Sequence, residues 1–212
     1  MICDHTTWVP HFHPFALLCH QLRALYFQHG IWGNNGLGGR NCATIFYRRH
    51  LGGNICHVTC SSESGVGASR HSERVCYDEL LAREGWGGGH AAGQVLLVYT
   101  ERFPCGPQNH NCFGFLDGWL PDDTAVFWSF LWPDANDFYK PTGKTKRKRD
   151  DSDWKTSQKM ARQGRTQGTK ELKMSLRDID YSSGSSQTGK AKTIDGPVQD
   201  IAIAGAIGRV AG

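Results

Sequence analysis

Two stretches of this chain leave little choice about how it can fold. "QVLLVYTE" (94–101) and "TAVFWSFLW" (124–132) are near-continuous apolar runs. A strand apolar on both sides must be covered on both, which is the pattern of strands buried between helical layers. The neighbouring segments supply the covering elements. "PFALLCHQLRALYFQHG" (14–30) has apolar residues at 17, 18, 22, 25 and 26, a helical spacing, and closes at Gly30. "CATIFYRR" (42–49) and "NICHVTC" (54–60) are β-rich, are separated by "HLGG" and read as a hairpin. From residue 70 to about Glu84 the chain reads as a helix, with Val75, Leu80 and Leu81 along one face, and "FGFLDGWL" (113–120) as a short one. The order helix, hairpin, helix, strand, helix, strand predicts an α/β fold with a sheet covered on both faces.

The composition divides the chain. Of its 212 residues 39% are hydrophobic, a low value, yet there are seven Trp and ten Phe. A dense domain joined to a polar segment accounts for both. The change comes at 141, where "KTKRKRDDSD" begins a stretch (141–175) with eleven Lys/Arg against four Asp/Glu, a local +7 in a chain of net +4. After the charge run 154–178 is polar with weak helical periodicity, 181–192 is Ser/Gly-rich, and "IAIAGAIGRVAG" at the end is apolar but short and glycine-rich. The expected organisation is an N-terminal extension (1–13), a folded domain (14–140) and a basic, partly disordered extension (141–212). The glycine-rich "GNNGLGG" is not followed by G-K-[ST] and is no phosphate loop.

No apolar run approaches 18 residues, so no membrane span is expected. The start has no basic region, and His11, His13 and His20 interrupt its apolar residues, so no signal peptide is expected either. Reduced thiols are then the default for the eight cysteines, and metal binding or catalysis explains some of them better than disulfides do. Cys42, Cys56, Cys60 and Cys76 read as core residues. The even spacing of "CHVTC" points Cys56 and Cys60 to one face of a strand.

Cys105 and Cys112 belong to a constellation. "RHSERVCYDELL" puts His71 and Glu73 two apart at the mouth of a helix. Pro104-Cys105 follows the first buried strand, and Cys112 lies seven residues further on. One His and two Cys supply three ligands and leave the fourth position of a tetrahedral zinc (Zn2+) to water, whose pKa the metal lowers toward 7. Glu73 is then a proton shuttle and not a ligand. Both ligand-bearing segments open helices, whose N-termini stabilise thiolates. Six residues, "GPQNHN", separate the cysteines where the deaminase signature H-x-E…P-C-x-x-C has two. Either the insertion loops out, with Gly106, Pro107 and Asn109 as turn formers, or His110 replaces a cysteine. Glu101 either orients a ligand from behind or pairs with Arg102.

With "HSER", "VYTERFPC…NC" and "AVFWSFLW", the segment 14–140 resembles the bacterial polymorphic-toxin deaminases of the cytidine deaminase-like superfamily. In some of those families the first motif reads HSE, and T/S-E-R-x-P-C precedes the second. The resemblance implies a three-layer α/β/α sandwich with a mixed central sheet. It implies zinc held by His71, Cys105 and Cys112, and Glu73 protonating and deprotonating during attack on the base. The expected reaction is hydrolytic deamination of cytosine in single-stranded nucleic acid, DNA preferred over RNA. Free nucleosides, nucleotides or adenine are the alternative substrates. A zinc-stabilised binding module without turnover is the alternative of another class. The resemblance also implies a monomeric toxin-type effector, with an immunity protein as a partner. It would act in the cytoplasm of the cell it enters, delivered by a specialised secretion system.

Trp128, Phe130 and Trp132 share one strand face by alternation and read mainly as core. Phe103 and Trp128 are candidates to meet the base. Lys144, Lys146 and Arg147, in the run 144–149, are candidates to hold phosphates, unless the run is only a solvated tail or an import signal.

Overall fold

The computed structural model describes residues 6–28, 40–50, 52–63, 70–85, 94–106, 110–133, 151–175 and 193–211. In chain order these form β1 (Thr6–Trp8), a 3-10 turn (Pro14–Ala16), α1 (Leu17–Gln28), β2 (Cys42–Arg48), β3 (Ile55–Ser61), α2 (Ser72–Glu84), β4 (Val95–Arg102), α3 (Cys112–Trp119), β5 (Ala125–Phe130), α4 (Asp151–Ser175), β6 (Thr193–Pro197) and α5 (Ile201–Ala211). The six strands make one sheet in the order β1-β5-β4-β2-β3-β6. β4 and β5 run parallel at its centre, β1 runs parallel to β5, and β2, β3 and β6 continue antiparallel. The sheet is mixed and the architecture is the expected α/β sandwich.

The two-residue period of the strands sorts their side chains into two cores. Ala43, Ile45 and Tyr47 of β2, Cys56, Val58 and Cys60 of β3, Val98 of β4 and Val126 of β5 face Val75, Cys76 and Leu80 of α2 and Leu116 of α3. The alternate residues Cys42, Phe46, Leu97, Tyr99 and Phe127 face Phe15, Leu18, Cys19 and Leu22 on one side of the chain's start and Ile203, Ala206 and Ile207 of α5. Cys56 and Cys60 therefore share a face, as their spacing predicts, and Cys42, Cys56, Cys60 and Cys76 are all buried and free. α2 ends at Gly85, whose φ of 64° closes the helix by donating to Leu81 O, a conformation glycine adopts without steric cost.

The folded unit reaches beyond 14–140 in both directions. Residues 6–8 pair with β5 at one edge of the sheet, and residues 193–197 pair with β3 at the other. Arg83 of α2 and Asp195 of β6 form an ion pair. The glycine-rich terminus is helix α5, capped by Asp200 Oδ1, which accepts from Ala202 N at 2.8 Å. Residues 151–175, expected within a partly disordered extension, form a helix of 25 residues. It docks on the segment after β5 through Gly164 and Gly168, where a Cβ would collide with the Pro133 ring and the Leu131 carbonyl. The run 144–149, with Lys144, Lys146 and Arg147, lies outside the described residues. Among the described residues no helix is long and apolar enough to cross a membrane.

His57 of β3 gives the sheet a pH dependence. Its ring is 7% exposed and lies 3.3 Å from Thr59 Oγ1. Burial depresses its pKa from 6.5 to about 4, against a smaller upward pull from Asp195. The unfolded chain therefore takes up this proton first as pH falls. The stabilisation is whole above pH 6.5 and is lost progressively down to about 4, roughly 3 kcal/mol at most. Denaturant unfolding at pH 7 and pH 4.5 should show a larger acid loss in the wild type than in His57→Gln. Equal losses would assign the acid sensitivity to other groups.

Candidate active site

The site is built at the C-terminal ends of β4 and β5, where α2 and α3 both begin. His71 precedes α2 in an extended conformation (ψ 155°) and makes no side-chain capping bond, so its imidazole points away from its own helix start. It meets both cysteines: His71 Nδ1 lies 3.1 Å from Cys112 Sγ and 3.3 Å from Cys105 Sγ. The three candidate ligand atoms all fall within 4.8 Å of one another. His71 is half-buried and both cysteines are buried.

The long separation of the cysteines is absorbed by the backbone. Asn111 N donates to Gly106 O at 3.2 Å, and Phe113 N to Cys105 O at 3.1 Å, so the chain returns to Cys105 after the intervening loop. Asn111 takes the left-handed conformation (φ 51°) that asparagine tolerates, and its side chain accepts from Gly114 N as the cap of α3. Cys112 is thus the first residue of that helix. His110 does not join the ligand group; its ring packs against that of His71, with centroids 4.1 Å apart.

Glu73 sits in the first turn of α2 with 2% of its surface exposed, not solvated at a helix start. Its carboxylate is held from three elements. Thr100 Oγ1 of β4 donates to Oε1 at 3.0 Å, Asn41 Nδ2 lies 3.3 Å from the same oxygen, and Ser72 Oγ lies 3.2 Å from Oε2. Asn41 also reaches Ser72 Oγ and Thr100 Oγ1 at 2.8 Å each, and its Oδ1 accepts from Arg102 N at 3.0 Å. No spacing rule connects positions 41, 72, 73 and 100. The β2–β4 register, with Ala43 opposite Thr100, is what unites them.

Glu101 takes neither expected partner. Arg23 of α1 grips it with Nε at 2.6 Å and Nη2 at 2.5 Å, and Cys42 N donates to it at 2.9 Å. Both side chains are buried, 0% and 1% exposed, in a two-pronged ion pair behind the site. Arg102 instead lays its guanidinium 4.2 Å from the Trp132 ring centroid. Phe103 and Trp128 meet edge to face at 5.2 Å, and Phe103 lies 6.2 Å from Phe113. Trp128 is half-buried and Phe130 is buried, while Trp132 lies past the end of β5.

The electrostatics suit a proton-handling site. Burial pushes the Glu73 carboxyl up, opposed by its hydrogen bonds and by His71. Cys105 is drawn well below the usual thiol value, first by its hydrogen bond with Cys112 and then by that with His71. Cys112, the other partner in that bond, is held above it. One imidazole and two sulfurs, one of them readily a thiolate, are a donor set that zinc accepts. The residues present fit such an ion.

An α/β sandwich with a His/Cys/Cys group and a buried carboxylate where two helices meet the ends of parallel strands defines a hydrolytic deaminase domain. A family model described as Xanthomonas-like deaminase matches residues 38–152, more than half of the chain, and the chain belongs to that family. No curated protein and no solved structure is detectably similar to it.

Proposed function

We propose that this deaminase is a toxin-type effector. It converts cytosine to uracil in single-stranded nucleic acid, DNA preferred, releasing ammonia. The observation that carries the chemistry is the buried Glu73 carboxylate, fixed by Asn41, Thr100 and Ser72 beside the His71/Cys105/Cys112 group. Zinc, held by His71, Cys105 and Cys112, would supply activation of water near neutral pH. Glu73 does the rest of the proton work: it takes one proton from the attacking water and gives it to the ring nitrogen as the C–O bond forms, then takes the second from the new C4 hydroxyl and gives it to the amine as the C–N bond breaks and ammonia leaves. Burial raises its pKa above the usual carboxylate value, the direction that suits a proton carrier. Phe103 and Phe113 flank the segments that carry Cys105 and Cys112, and together with Trp128 they offer aromatic surface to a base.

The substrate class follows from access. A base inside a duplex hides the attacked carbon, and extruding it costs a few kcal/mol. Purified protein should therefore deaminate cytosine in single-stranded DNA fastest, more slowly in RNA, and far more slowly in matched duplex or as free cytidine. Sequencing and chromatography of the products read this out. Equal rates on duplex and single strand would overturn the single-strand reading. Absence of uracil and ammonia with every substrate, in zinc-loaded protein, would make the domain a binding module.

A further inference from the structure

Cationic residues recur along one flank of α4. Lys155, Lys159, Arg162, Lys170 and Lys173 are spaced by three, four or eight residues and are exposed. The docking side of the helix is different: Ala161, Leu172 and Ser175 are buried, and Gly164 and Gly168 approach Pro133 and Leu131. Arg165 lies between the two sides and donates to Pro133 O at 2.8 Å. Glu171 is bonded to Gln167 on the opposite flank. Among the described residues none of Arg162, Arg165, Lys170 and Lys173 forms an ion pair with a carboxylate.

This flank lines an open groove of about 600 Å³ through Arg162, Arg165, Thr166, Thr169, Lys170 and Lys173, together with Trp132. Trp132 connects the groove to the catalytic end of the sheet. Arg102 stacks on its ring, the Arg102 backbone is bonded to Asn41, and Asn41 is bonded to Glu73. Trp132 thus ties the groove to the residues that hold Glu73. Almost all of α4 lies beyond the region matched to the family.

We infer that the α4–Trp132 groove holds the phosphate backbone of the single-stranded nucleic acid whose base is processed at Glu73. The inference rests on the polymeric substrate proposed above. Cations on one rigid helix face, without carboxylate partners of their own, suit a repeating phosphodiester better than a single phosphate. The hydroxyls of Thr166 and Thr169 donate to the Arg162 and Arg165 carbonyls at 2.9 Å each, so the donors of this track are its cations.

The test uses the full chain and a probe without cytosine, fluorescent oligo-dT, so that binding is read apart from turnover. Changing Arg162→Ala, Lys170→Ala and Lys173→Ala together should weaken binding at moderate salt. It should flatten the slope of log affinity against log salt by about 2, at about 0.7 per lost phosphate contact. On cytosine-bearing oligonucleotides KM should rise with kcat and base preference unchanged, because phosphates carry no sequence information. Metal content and melting temperature should stay at wild type, and the control Arg209→Ala on α5 should change nothing. An unchanged oligo-dT affinity and salt slope in the triple variant would overturn the groove. If the triple variant loses oligo-dT binding but the wild type deaminates no cytosine, the groove stands and the substrate reading falls.

Discussion

Glu73→Ala and Glu73→Gln should both lower turnover of cytosine-containing single strands by about 10² to 10⁴, the usual loss when a general acid/base is removed. Both variants should keep their metal and a near-native melting temperature. The Gln variant preserves the shape of the side chain and its bonds to Thr100 and Asn41, and removes only the ability to take and return a proton. The Ala variant leaves Asn41 its bonds to Ser72 and Thr100, so no buried amide is orphaned. It also removes a carboxyl whose ionised form burial disfavours. Loss of activity with the fold intact in both variants separates proton transfer from structure. Full activity in either would rule out Glu73 as the proton carrier.

Metal content should depend on His71, Cys105 and Cys112 and not on His110. Wild-type protein should carry one zinc per chain by elemental analysis. His71→Ala, Cys105→Ala and Cys112→Ala should each lose most of it, and His110→Ala should retain it, because His110 packs its ring at a tilt against that of His71, outside the ligand group. Metal binding and folding share one free energy, so the three ligand variants, and wild type treated with chelator, should also melt at lower temperature. The loss should not be total, since two apolar cores hold the sheet independently of the site. Full zinc occupancy in all three ligand variants would overturn the assignment. Loss of zinc in His110→Ala would mean that the ligand set includes a residue from the loop preceding α3.

The legible part of the fold is the part written in local patterns. The continuous apolar runs of β4 and β5, the hairpin of β2 and β3 and the face of α2 each carry their period within a few residues. The elements that escape a reading of the chain are those whose signal lies elsewhere. β1 and β6 are short edge strands, "TTW" and "TIDGP", held by backbone pairing to a neighbour and with few apolar residues of their own. Gly196 and Pro197 count against a strand anywhere but at an edge. α5 hides its period among small residues, and only Ile203, Ala206 and Ile207, which the fold buries, reveal it. α4 shows one more limit. Its helical periodicity reads as weak, because the stripe that docks it is made mostly of glycine, alanine and serine, with Leu172 its one large apolar residue.

The same division runs through the site. Residue types and order bring forward His71, Glu73, Cys105 and Cys112, with His110 as the alternative to one cysteine, since few combinations of imidazole, carboxylate and thiol at helix starts serve one chemistry. Sequence determined which groups are candidates for the site and which strands form the centre of the sheet beside it. The tertiary structure decided how those groups are held. Asn41 and Thr100 are 59 residues apart, as are Cys42 and Glu101, and Arg23 and Glu101 are 78 apart. Such bonds exist only once the β2–β4 register and the packing of α1 have closed, because a hydrogen bond needs an approach within about 3 Å that no local pattern encodes.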